Sequence, residues 1–155
     1  MGKRIDAKAT PVSVGSSYPP PYGAVCAARV RNRLGDAAGL TDFGVNLLRL
    51  PPGAWSSQRH WHSNEDEFVF VVSGEVTLIT NTDETVLRAG DCAGFPKGVD
   101  DGHQLINRTG SEAICLEVGT RAQGDLCTYS DIDMKIDDAV GRYAHKDGSF
   151  YPVQS

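Results

Sequence analysis

Residues 57–74 read SQRHWHSNEDEFVFVVSG, and two patterns meet in that stretch. On a strand, residues two apart share a face. His60 and His62 therefore present their imidazoles to one side, with Arg59 and Trp61 on the other. A turn through Ser63-Asn64 brings the next apolar strand alongside, and Glu67 opens it. That strand continues through Phe68, Val69, Phe70, Val71 and Val72. Ser73-Gly74 then reads as a hairpin turn into Glu75–Ile79. Val69 and Val71 share the face of Glu67 and would line a cavity, while Phe68, Phe70 and Val72 face the other way. A strand apolar on both faces needs cover on both, from a second sheet or a subunit interface.

Further along, His103 begins the run HQLIN and could close the set from across a barrel. Three neutral imidazoles and one carboxylate suit a divalent transition ion such as Zn, Mn, Fe, Ni or Cu, and disfavour Mg and Ca.

Short apolar runs separated by turn signals fill residues 24–130, among them AVCAARVRNRL, VNLLRL, EVTLIT, ETVLR, DCAGF, AICLEVG and LCTYS. Asn81-Thr82-Asp83 and Arg88–Asp91 supply turns. This is the pattern of an all-β sandwich or barrel with very little helix. The flanks differ. Residues 1–23 carry PVSVGSSYPPPYG, which reads as an extended arm. In residues 131–155, Ile132, Met134 and Ile136 alternate with polar residues as an extended segment. An aromatic tail follows, suited to a lid or a packing clip.

The chain has 155 residues, enough for one domain, with 20 acidic and 15 basic residues and a net charge of −5. An acidic chain without a basic run argues against nucleic-acid or anionic-membrane partners. No apolar stretch approaches the roughly 18 residues of a membrane span. The start, MGKRIDAKAT, leads into no hydrophobic segment, so a cytoplasmic location is expected. Cys26, Cys92, Cys115 and Cys127 contain no Cys-x-x-Cys pair, which excludes a zinc ribbon or thioredoxin-like motif and points to reduced thiols.

On these residues the chain resembles the cupins. Gly53, His60, His62, Glu67 and Gly74 fill the first cupin motif, with four residues between His62 and Glu67 and six between Glu67 and Gly74. The gap from Gly53 to His60 is one residue longer than usual. Gly90, Pro96, Gly98, His103 and Asn107 fill the second motif, where Val99–Gly102 makes the loop before His103 two residues longer than usual. The spacing from His103 to Asn107 is intact. The resemblance implies a double-stranded β-helix, a small jelly-roll barrel. It also implies His60, His62, Glu67 and His103 as ligands of one divalent metal ion inside it. Small single-domain microbial cupins described as sugar-phosphate-isomerase-like are the nearest group.

Several roles follow as expectations. Glu67 is a candidate general base as well as a ligand. Gln58 shares the face of His60 and His62 and is the candidate neighbour of the site. Arg49 and Arg59 are candidates for binding an anionic substrate, and Tyr129 and His145 for reaching the cavity mouth. The leading function is a metal-dependent enzyme acting on a small polar molecule such as a sugar or sugar phosphate, by isomerase or lyase chemistry. The alternatives are an Fe-dependent dioxygenase and a non-catalytic sugar-binding or sensor module. A homodimer is expected, with the arm around Tyr18–Tyr22 or the first strand crossing between subunits.

Overall fold

The computed structural model describes residues 2 and 4–153. Among the described residues, thirteen short strands, one short helix and two 3-10 turns make up the regular structure. The largest sheet contains β1 (Val12–Val14), β2 (Val30–Arg33), β3 (Phe43–Leu50), β5 (Glu67–Ser73), β8 (Cys92–Phe95) and β10 (Ala113–Thr120), in the order β1-β2-β3-β10-β5-β8. A second sheet runs β13-β12-β11-β4, formed by Arg142–Ala144, Lys135–Asp137, Leu126–Tyr129 and His60–His62. A third runs β7-β6-β9, formed by Glu84–Arg88, Glu75–Ile79 and Gln104–Ile106. Every strand pair is antiparallel. Bridges His60–His103 and Trp55–Ile106 join the two smaller sheets into one wall facing the large sheet. The result is the all-β double-stranded β-helix that the motifs imply.

Two hydrophobic clusters fill the interior. One packs Leu48, Val71 and Cys115 of the large sheet against Val76, Leu78 and Leu105 of the small one. The other gathers Tyr18, Cys26, Cys127, Tyr129 and Met134 at the opposite end.

Four features refine or depart from the sequence reading. First, β5 and β6 are not a paired hairpin. Gly74 alone joins them, too short a link for a two-residue turn, and the chain passes from the large sheet into the third. Second, the run 24–34 is not one strand. It holds a 3-10 turn at Ala24–Cys26, then β2, and then α1 (Leu34–Ala38), which Gly39 ends in a left-handed cap. Third, the segment after residue 130 is extended as read and packs on the domain itself: β12 and β13 extend the sheet that carries β4, and Met134 is fully buried. Fourth, the arm packs on its own chain. Tyr18 lies edge-on to Tyr129 and Tyr143, at 5.5 and 5.7 Å between ring centroids.

Phe68, Phe70 and Val72 do face outward, at 42%, 38% and 49% exposure. No helix among the described residues is long and apolar enough to cross a membrane.

Candidate metal centre

β4 presents His60 and His62 at the junction of the two interior clusters. His60 exchanges both backbone hydrogen bonds with His103, at 3.2 and 2.9 Å, so the third imidazole stands directly opposite the first. The longer loop before His103 is absorbed outside the barrel. There Asn81 N–H donates to Asp101 (2.8 Å), the Asn81 side chain donates to the Asp100 carbonyl (2.8 Å), and Gly102 fits against Ser130. Asn107, fully buried, pins the far end of β9 by donating to the carbonyls of Leu50 and Ser111, both at 2.7 Å.

Two of the rings are oriented by what Nδ1 meets. His60 Nδ1 lies 2.9 Å from the Gln58 carbonyl, and His62 Nδ1 lies 2.6 Å from Asp125 Oδ2. Both partners can only accept, so Nδ1 carries the proton and Nε2 keeps its lone pair in the neutral ring. The Phe95 ring stacks on His103 at 3.6 Å and fixes its plane. All three Nε2 atoms then converge on a single oxygen, Glu67 Oε2, at 3.6 Å from His60, 3.6 Å from His62 and 2.9 Å from His103. That oxygen is buried and makes no aligned hydrogen bond.

An orphaned carboxylate oxygen ringed by three imidazole nitrogens fits a shared cation. Ligand atoms each about 2.1 Å from one ion stand roughly 3.0–3.4 Å apart, close to the spacing observed. Burial opposes a charge on Glu67, yet His103 and His60 beside it hold its carboxyl well below the usual range. Burial also lowers the pKa of His103, whereas Glu67 outweighs burial at His60 and raises it.

The structure therefore gathers His60, Glu67 and His103, whose ligating atoms lie within 4.8 Å of one another, with His62 Nε2 3.6 Å from Glu67, and it separates the other candidates from them. The Gln58 side chain does not face the site. Its amide donates to the Tyr22 carbonyl at 2.7 Å, and only its backbone oxygen serves His60. Arg59 turns outward onto Asp131 (2.6 Å), Arg49 pairs with Glu112 (3.2 Å), and His145 is paired with Asp133 (2.8 Å). Tyr129 is buried beside His60, its ring 5.8 Å away.

Asp125 escaped the sequence reading. It is buried and is held by Asn64 N–H at 2.8 Å as well as by His62. The Asp-Leu sequence after Gly124 belongs to no motif, so its only signal is spatial. A carboxylate behind a ligating histidine fixes its tautomer and raises its basicity, and such partners are worth about 10–100-fold in metal affinity. Asp125→Asn is therefore expected to weaken metal binding by about that factor without removing the site. Competition titration against a chelator measures it, and an unchanged affinity would remove Asp125 from this role.

A cavity of about 350 Å³ opens beside the centre, with His60, Glu67 and His103 in its wall. Such an arrangement of histidines and a carboxylate within a jelly-roll barrel defines a cupin-type protein. The Cupin domain family matches residues 46–119. The chain is 45% identical to a protein from Silicibacter pomeroyi DSS-3 described as a sugar phosphate isomerase from a cupin superfamily. That likeness covers 97% of each chain, with a TM-score of 0.92. It is 31% identical to a provisionally named sugar phosphate isomerase from Acidithiobacillus ferrooxidans ATCC 23270, covering 83% of this chain and 81% of that one, with a TM-score of 0.72. The polyketide cyclase RemF of Streptomyces resistomycificus, at 16% identity, covers 77% of this chain and 80% of its own with a TM-score of 0.61, and shares the fold alone. No curated protein matches the chain. The chain belongs to the cupin superfamily.

Proposed function

We propose that the protein is a metal-dependent enzyme acting on a small polar molecule such as a sugar or sugar phosphate, with isomerase-like chemistry. The observation that carries this reading is Glu67 Oε2, buried and ringed by three Nε2 atoms at the wall of a sugar-sized cavity. His60, His62, Glu67 and His103 would hold one divalent ion of the Zn, Mn, Fe, Ni or Cu type. Bound there, the ion would polarise a carbonyl or hydroxyl oxygen of the ligand. The chain's own residues orient the site. Asp125 and the Gln58 carbonyl keep two rings with Nε2 turned inward, and Val69, Phe95 and Leu105 give the cavity an apolar patch beside them. Because its carboxyl is held low, Glu67 is a better ligand than proton acceptor. The names of the two similar proteins support the substrate class.

Metal analysis of protein purified without added metal tests the reading, followed by turnover assays on a panel of sugar phosphates. Activity lost with chelator is the expected result. Oxygen uptake would make it a dioxygenase, and a ligand-induced thermal shift without turnover would make it a binding module. A cytoplasmic location is part of the same reading, supported by four cysteines that form no disulfide.

A second copy of the chain is proposed to cover the outer face of the large sheet. Val45, Leu47, Leu116, Val118, Phe68 and Phe70 share that face by register. At about 4.8 Å per strand and 3.3 Å per residue the three strands β3, β10 and β5 present roughly 300–400 Å², the apolar centre of the roughly 800 Å² that each partner of a stable pair buries. Light scattering is expected to give twice 16.6 kDa for the wild type, and a monomer for Phe70→Glu. A wild-type mass of 16.6 kDa that does not rise with concentration would remove the dimer.

A further inference from the structure

The cavity beside the centre contains two arginines of unequal standing. Arg31 is neutralised: its Nε and Nη2 grip Glu117 at 2.7 and 2.9 Å. Arg29 forms no ion pair among the described residues. Its Nε donates to the Gly15 carbonyl at 2.8 Å and its Nη1 to the Ser56 carbonyl, and its Cζ lies 5.8 Å from the Tyr18 ring centroid. Arg31 Nη2 shares the same Ser56 carbonyl, at 3.2 Å, so the two guanidinium groups stand side by side. Among the described residues, Arg29 Nη2 and Arg31 Nη1 have no hydrogen-bond partner. Neither is an orphan sealed in the core.

The remaining charges of the wall are accounted for. Arg121 pairs with Asp36 at 2.5 Å. Glu65 accepts from Ala122 N–H at 3.1 Å and lies 3.8 Å from His62. Glu67 belongs to the histidines. Arg29 is left as the one arginine of the wall without an ion pair among the described residues, part-buried beside Arg31. Burial lowers the Arg29 pKa, as does the neighbouring Arg31, so the charge is costly where it stands. A carbonyl oxygen offers a dipole but no counter-charge; an anionic ligand offers both.

We infer that Arg29, with the free edge of Arg31, binds the phosphate of a phosphate monoester whose other end reaches the His60–Glu67–His103 wall of the same cavity. Two guanidinium edges suit a dianion with several acceptor oxygens better than a single carboxylate. This rests on the proposed function for what happens at the metal end, but the anion site itself does not need the metal. It also replaces Arg49 and Arg59 as the anion-binding candidates, since both are paired on the outside.

The test uses the full-length protein, stripped with chelator and then reloaded, titrated calorimetrically with inorganic phosphate. Binding is expected in both forms, with affinity at least about tenfold weaker in Arg29→Met, the loss of one charge-assisted contact. In the metal-loaded protein, a hexose 6-phosphate is expected to bind tighter than the free hexose, with the difference lost in Arg29→Met. Phosphate that binds only when metal is present, or equally to Arg29→Met, would overturn the assignment. If that variant does not fold, the wild-type protein suffices. The Arg29 Nε–H resonance should move on phosphate titration while those of Arg49 and Arg108 stay, and an unmoved Arg29 signal would also overturn it. A wild type that takes up no metal would overturn the enzyme reading and leave the phosphate measurement intact.

Discussion

His62→Ala is expected to lose metal affinity by more than about 100-fold while its sheet spectrum stays that of the wild type. Removing a partner behind a ligand already costs about 10–100-fold, and this change removes the ligand itself. What is left is a three-member set with Asp125 deprived of its histidine. The barrel survives because neither interior cluster includes His62: one rests on Leu48, Val71 and Cys115, the other on Tyr129 and Met134. The metal-free proteins should therefore unfold within about 1 kcal/mol of each other. With metal at 100 times the wild-type dissociation constant, the wild type alone should gain about 2.7 kcal/mol. Elemental analysis and thermal unfolding with and without metal read both effects. Stoichiometric metal in the variant would mean that His62 is not a ligand.

The residues of this set could be found in the sequence because strand parity is a local rule. His60 and His62 share a face on any strand, and Glu67 opens the neighbouring one. His103 needed the motif as well as parity, since its loop is lengthened, and the bridge to His60 places it beside β4 in the same wall rather than across the barrel. Groups that reach the site through long-range pairing were invisible. Asp125 lies 63 residues beyond His62 and meets it only because β11 pairs with β4. Arg29 and Arg31 reach the cavity because β2 pairs with β3 at the edge of the large sheet, which turns Arg31 onto Glu117 of β10. Local pattern alone gave Arg49 and Arg59 an equal claim, and both are outside. Gln58 shows the limit of parity itself: β4 begins at His60, so the alternation does not extend back to it.

The link between β5 and β6 is where local reading and structure differ most, and it carries the second large expected effect. Ser73-Gly74 resembles a hairpin turn, yet the strands on either side belong to different sheets. Gly74 makes that crossing with φ of +77°, a conformation that costs a residue with a side chain roughly 1–2 kcal/mol. A Cβ there would also stand 2.8 Å from the Glu112 carbonyl oxygen and 2.9 Å from Ala113 Cα. Both are backbone atoms at the start of β10, where Ala113 is fully buried and the register with β5 shifts between Ile114 and Cys115. Relief requires moving a strand rather than a rotamer, adding roughly 1–3 kcal/mol. Gly74→Ala should thus destabilise the fold by about 3 kcal/mol, a fall in Tm of roughly 6–12 °C for a chain of this size. Gly110→Ala is the control, since a Cβ there meets nothing within 4 Å and its φ is not positive. Its stability should stay within about 0.5 kcal/mol of the wild type's, a change in Tm of about 1–2 °C. Equal melting of the two variants would show that the crossing tolerates a side chain and that the close approach to β10 relaxes at little cost.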